Sequence, residues 1–202
     1  MGKRQEIAIL TRQSILDSMR ILLKEKDANS INIEDITTKA GIAKGSFYTY
    51  FKRKEDVISA VAVEEYDAIN KSLIDLSAGV SEKISKYLMG SVEIIEKHTL
   101  QIAQNWMKSV AAPLEGECNG ITKFNYDRDN IETFLKNAVE AGEMLSTSPI
   151  DEITECIMNV YYGAVASWCI TKGEVSLIKS MEHFCDIALN AMLAEYMVKQ
   201  ED

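Results

Sequence analysis

Proline occurs only twice in this chain, at Pro113 and Pro149, and alternating β-branched segments are scarce. Both absences disfavour a strand-rich architecture and leave an all-α chain as the expectation. Histidine is equally rare, at His98 and His183, and the cysteines Cys118, Cys156, Cys169 and Cys185 form no CxxC pair. No cluster with zinc-ligand spacing results, so no metal is expected. No apolar run approaches the ~18 residues of a membrane span. The first residues also lack the apolar stretch and small-residue cleavage site of a secretory signal. The expected setting is the reducing cytoplasm, with free and mostly buried thiols. A Gly-rich phosphate loop, an HExxH motif, a nucleophile elbow and a Cys–His dyad are all missing. Acid pairs such as Glu64-Glu65 read as solvated helix surface. Neither a cofactor nor enzymatic activity is expected.

What is present begins with charge. The net charge is −9, yet residues 1–56 hold eleven Lys and Arg against eight Asp and Glu, a local +3. The remainder holds eleven against twenty-three, a local −12. A basic head on an acidic body suits a head attracted to nucleic acid, with a body kept soluble and off the phosphates. With 47% hydrophobic residues in 202, the chain has room for a sizeable core.

The head reads as three helices. Ile15, Leu16, Met19, Leu22 and Leu23 form an amphipathic stripe within residues 11–26. Residues 1–10 are expected as an arm or an extension of that helix. Asn32 can cap the second helix, with Asp35 three residues on in the manner of a capping box. Gly41 offers the left-handed conformation that a sharp helix-to-helix turn requires. Residues 43–51 then place Phe47 and Phe51 inward, while Lys44, Ser46, Tyr48 and Thr49 point elsewhere. Gly45 in a helix costs about 1 kcal/mol against Ala, which close approach to a phosphate or base edge would explain. Tyr48 and Tyr50 are either partners of phosphate or packing residues.

The stretch Asp35-Ile36, then Ala40 through Phe51 (AGIAKGSFYTYF), then Lys54-Glu55 closely resembles the DNA-binding head of TetR-family transcriptional regulators. The resemblance implies a helix-turn-helix DNA-binding domain over residues 1–53 and a helical ligand-binding and dimerisation domain over 54–202. It implies DNA contacts at Asn32, Ala43, Lys44, Gly45, Ser46, Tyr48, Thr49, Tyr50 and Lys54. Three positions depart from the family pattern. Asp27 stands where a glycine usually follows helix one, Ala43 replaces a serine, and Asn32-Ile33 replaces a hydroxyl-bearing start of helix two. The resemblance further implies a homodimer on a palindromic operator, released by a small apolar or aromatic effector.

In the body, helical periodicity is expected over residues 54–76, 81–97, 100–110, 127–144, 150–170 and 175–198. One of Ser146, Thr147 and Ser148 is expected to cap the helix after Pro149. The stretch 111–125, with Pro113, Gly116 and Gly120, reads as a loop: a gate over a cavity or a surface connection. The last two helices are expected to pair with a second copy, through Ile157, Ala164, Trp168, Met181, Phe184, Ala188, Ala191 and Met192, or else to close the monomer's own core. Candidate pocket residues are Tyr87, Met89, Trp106, Met107, Phe124, Tyr126, Phe134, Met158, Tyr161, Tyr162 and Trp168, an aromatic and methionine set that also suits an ordinary core. Glu93, Glu96 and Glu140 are the acidic candidates for meeting a cationic effector. The competing readings are a helical protein- or small-molecule-binding module without specific DNA binding and, more remotely, an enzyme.

Overall fold

The computed structural model describes residues 2–97, 100–111 and 119–199; at 105, 108–111 and 119–122 it describes the backbone alone. Among the described residues every regular element is a helix, beside one isolated bridge between Met144 and Met197. The chain divides into two compact units, Met1–Asp67 and Ala68–Asp202.

The first unit opens with α1, Lys3–Glu25, so the expected arm is an extension of the helix. Its buried residues Ile15, Leu16, Met19 and Leu22 repeat every three or four positions and so share one face. A single 3-10 turn, Ala28–Ser30, follows. Asp27 accepts from the Asn29 amide at 2.7 Å with φ −58°, so this turn does not use the left-handed conformation for which glycine is usual there. Helix α2, Ile33–Ala40, carries the expected reciprocal cap. Asn32 Oδ1 accepts from the Asp35 amide, and Asp35 Oδ2 accepts from the Asn32 amide, both at 2.9 Å. Gly41 ends α2 at φ +67°. Helix α3, Lys44–Tyr50, buries Phe47, and α4 runs Lys54–Ile74. Ile36, Phe47, Phe51, Val57, Ile58 and Val61 are all buried. The first turns of α4 thus lie within the first compact unit, which extends fourteen residues past the expected boundary after residue 53.

The second unit packs α5 (Val80–Lys97), α6 (Leu100–Ala111), α7 (Asn119–Glu140), α8 (Ile150–Ile170) and α9 (Leu177–His183). The last of these passes into a π-helical segment, Phe184–Leu189, then α10 (Asn190–Leu193) and a 3-10 turn, Ala194–Tyr196. A continuous α-helix over 175–198 is therefore not what forms. The widened π turn keeps Cys185 and Leu189 buried while Ile187 and Ala188 face out. Helix α7 begins eight residues before the expected 127, so residues 119–125 are helical rather than loop. Gly120 sits in the first turn of that helix. Residues 112–118, with Pro113, Gly116 and Cys118, lie outside the described residues. Of the other thiols, Cys169 and Cys185 are buried and Cys156 is exposed. No serine or threonine caps α8, whose N-cap is Pro149 itself; Ser148 instead donates back to the Leu145 carbonyl at 2.6 Å.

The core of this unit is continuous, built from Ile84, Leu88, Ile131, Leu135, Ile157 and Leu189 among others. Chain-end backbone bonds, Leu145 N–H to Tyr196 O at 2.8 Å and Val198 N–H to Glu143 O at 2.9 Å, pin the C-terminal segment to the α7–α8 connection.

The αL residue at Gly41 yields one stability prediction. Gly41→Ala should destabilise the chain by about 1 kcal/mol, because a Cβ is unfavourable at positive φ. No neighbour lies within 4 Å of the added atom, so crowding would not contribute. An unchanged denaturant midpoint would show that the turn is not conformationally constrained.

Candidate functional site

Helix α3 is amphipathic in an unusual sense for its length. Phe47 is fully buried and packs against Phe51, with ring centroids 6.1 Å apart, which fixes which side of α3 faces out. That outer side carries Lys44, Gly45, Tyr48 and Thr49, with Ala43 just before it, while Ser46 and Tyr50 are half-buried. Tyr48 keeps 51% of its surface exposed although it stands edge-on to Phe47. Among the described residues, apart from its chain neighbours and the backbone of its own helix, nothing lies within 4 Å of where a Cβ on Gly45 would sit. Internal packing therefore does not require glycine at that position.

Three of the expected contact residues have partners of their own. Lys44 is ion-paired with Glu34 of α2 on the open surface, an interaction that raises the lysine pKa and lowers that of the glutamate. Being exposed, such a pair is screened and yields easily to a competing phosphate. Lys54 is different. Its ammonium donates to the carbonyls of Ala28, Asn29 and Ile31 at 3.0, 3.1 and 2.8 Å, which matches all three of its protons. The side chain ties the start of α4 to the 3-10 turn, so a phosphate contact at Lys54 would have to compete with these three bonds. Asn32 is exposed, but its side-chain oxygen is engaged as the cap of α2.

The second unit holds a buried polar cluster. Asp127 of α7 has no exposed surface. Its Oδ1 accepts from the Tyr87 hydroxyl at 2.6 Å and pairs with the Lys123 ammonium, one helical turn earlier. Its Oδ2 accepts from the Tyr162 hydroxyl at 2.6 Å. Asn130 Nδ2 donates to the Tyr87 oxygen at 3.1 Å, and Asn70 Nδ2 on α4 donates to Asn130 Oδ1 at 2.7 Å. Burial and the adjacent carboxylate push the Tyr87 phenol pKa up, which keeps it a proton donor, while burial pulls the Lys123 ammonium down.

Aromatic rings line one side of this cluster. Tyr162 stacks on Trp106 at 5.6 Å and lies 5.1 Å from Phe124 and 4.9 Å from Tyr161. Among the expected pocket residues these four come together, and Tyr162, like Tyr87, bonds Asp127. Tyr87, Phe134, Met158 and Trp168 are buried in the hydrophobic core, against which Met89 and Met107 pack; Tyr126 is half-buried. The acidic candidates fare worse. Glu93 and Glu140 are exposed, and Glu96 accepts from the Ile178 amide at 3.3 Å, capping α9. The acid that does sit among aromatics, Asp127, was not anticipated. The available signal was the Lys123–Asp127 spacing of four, with Phe124 and Tyr126 between them.

The expected dimer residues also divide. Ile157 and Met181 have no exposed surface and Trp168 has little, so they belong to the body's own core rather than to a surface between copies. Ala188 and Ala191 are exposed, and Ala164, Phe184 and Met192 are half-buried.

A family model for bacterial regulatory proteins of the tetR family matches residues 15–61, which spans the second half of α1, the turn, α2, α3 and the start of α4. That stretch of the chain matches the tetR family. Among curated relatives, the TetC protein of transposon Tn10 from Escherichia coli is 37% identical over 81 residues, covering 39% of this chain and 41% of TetC. The regulator AcrR of Shigella flexneri is 25% identical over 203 residues, covering 95% and 93%. The fold is shared with Thermus thermophilus FadR, a repressor solved with lauroyl-CoA, at a TM-score of 0.62 and 15% identity over 95% of this chain and 97% of that one. Family members are transcriptional regulators and not enzymes.

If Lys54 is a brace for the tetR head, Lys54→Met should lower unfolding stability by about 1–3 kcal/mol, the usual range for charge-assisted hydrogen bonds. A variant with unchanged stability but weaker DNA binding would restore the phosphate role.

Proposed function

We propose that this regulator is a repressor that binds a palindromic operator as a homodimer and leaves it when a small apolar or aromatic effector enters the body. The observation that carries the reading is the outer face of α3, where Lys44, Gly45, Tyr48 and Thr49 stand exposed over a fully buried Phe47. Such a helix, seated in the major groove, would bring Ser46 and Thr49 toward base edges and Lys44, Tyr48 and Tyr50 toward the backbone. FadR, with its lauroyl-CoA, illustrates one case of a small molecule held by this fold. Residues 1–53 would act on DNA and 54–202 on the effector and the partner. A DNA partner would place the protein in the cytoplasm, and no described helix is long and apolar enough to cross a membrane.

Dimerisation draws support from the outer faces of the last helices. On α8, Cys156, Val160, Gly163, Ser167 and Ile170 recur every three or four residues and are exposed, Ile170 at 79%. On the following helical segment Ile187 is 73% exposed, with Ala188, Ala191 and Ala194 beside it. Two such stripes of small and apolar residues suit a four-helix arrangement with a second copy. The two heads would then meet major grooves roughly 34–36 Å apart.

Titration of operator DNA across a salt series tests the reading. Affinity should fall steeply with salt, and Lys44→Ala should flatten the slope by about one while weakening binding. Tyr48→Ala should weaken binding, and Glu34→Gln should strengthen it by freeing Lys44. Failure to shift DNA selected from random sequence, at any salt, rejects the regulator mechanism proposed.

Ile187→Glu should convert the dimer to monomer in sedimentation and reduce operator affinity at least tenfold, since a charge in an apolar interface is costly. A monomeric wild type would reject the homodimer, and a variant still dimeric would place the interface elsewhere.

A further inference from the structure

Among the described residues Asp127 is the one charged side chain that is fully buried. A buried ion pair seldom adds more stability than well-packed apolar residues would, because desolvation offsets much of the attraction. Folding alone thus gives little reason for Asp127 and Lys123 at this place.

The local chemistry offers another. The Lys123 ammonium is both paired with Asp127 and 5.9 Å from the centre of the Tyr161 ring. A carboxylate with aromatic faces beside it is a setting that favours an organic cation. The inner end of the cluster, at Asp127, Tyr87 and Tyr161, is closed to solvent. The outer end is open: Trp106, Lys123 and Tyr162 are half-buried and Phe124 is exposed. Lys123 is carried on a flexible stem, and its ammonium is well hydrated once released to water. Burial already disfavours its charged form where it stands.

We propose that Asp127 anchors a cationic aromatic effector, which takes the position now filled by the Lys123 ammonium. The exchange preserves charge, since one cation leaves for water as another enters. An anionic guest would add a second negative charge beside a buried carboxylate. The guest's ring would lie against Trp106 and Tyr162, and its cationic group would meet Asp127 and the face of Tyr161. The Tyr87 hydroxyl bridges Asp127 to Asn130, and Asn130 bonds Asn70, which lies in the same unit on the last turns of α4. Movement of Asp127 toward a new cation would thereby be felt at α4. This inference rests on the effector-responsive reading above and adds the class of molecule and its anchor.

The test uses the full chain and three probes with one ring system and different charges: (2-naphthylmethyl)trimethylammonium, 2-naphthalenemethanol and 2-naphthoate. Binding is read by calorimetry and by tryptophan fluorescence. The cation should bind tightest. Asp127→Asn should weaken it at least tenfold while changing the alcohol less than threefold. Lys123→Met removes the resident competitor and should tighten the cation severalfold. Should Lys123→Met fold less stably, the cation should raise its melting temperature by more than it raises that of the wild type. The site is overturned by preferential binding of naphthoate, by no binding of the cation at millimolar concentration, or by equal affinity in wild type and Asp127→Asn.

Operator titrations run alongside separate the two readings. Cation binding without any DNA binding would leave the site standing and reject the regulator mechanism. DNA binding with the charge order reversed would do the opposite. In the relay, Asn70→Ala should reduce the change in operator affinity that the cation produces; an undiminished change would rule out that route.

Discussion

Helices of eight and seven residues carry the head's outward chemistry, and neither is long enough to persist alone in water. Their existence depends on burying Ile36 and Phe47 beneath them, against a core shared with α1 and the start of α4. The rest of the head serves that burial. Gly41 turns the chain sharply enough for both helices to reach the same core, the Asn32–Asp35 cap satisfies the amides at the start of α2, and Lys54 closes the carbonyls of the turn below. Once Phe47 is inside, the α-helical period turns Tyr48 and Thr49 outward, and Lys44 in the first turn is exposed as well. The exposed surface is thus a consequence of the buried one.

The body shows the converse arrangement, with polar chemistry held inside. Most of its interior is aliphatic, as in any helical core, yet three hydrogen-bond donors converge on one carboxylate. In a medium of low polarity each of those bonds is strong, and leaving any one unmade would be costly. A cluster of that kind resists small changes and responds to large ones, such as exchange of its cation. Its link through Asn130 to Asn70 adds a hydrogen-bonded route to α4 beside the apolar packing of Ile69 and Leu73.

Much of this was legible before any coordinates. The stripe in α1, the αL glycine, the inward Phe47 and Phe51, and the bounds of α8 all follow from local periodicity and local backbone preference. What was not legible shares a cause. Lys54 looks like any surface lysine until the turn at Ala28–Ser30 is folded beneath it, because its three acceptors lie more than twenty residues away. Ile157, Trp168 and Met181 carry apolar side chains suited equally to a core or an interface, and only the packing of α5, α7 and α9 around them decides. The π segment in the last helix was invisible to a pattern that assumes an unbroken 3.6-residue period.

The amino-acid sequence by itself determined that the chain is helical, that it begins with a helix-turn-helix of the tetR kind, and which side of α3 is apolar. Each of these rests on residues within a few positions of one another, where propensity and periodicity act directly. The tertiary structure alone decided which polar groups are buried and with whom. Asp127 meets Tyr87 forty residues before it and Tyr162 thirty-five residues after it. Pairing across such distances depends on the packing of α5, α7 and α8, and no local pattern records it.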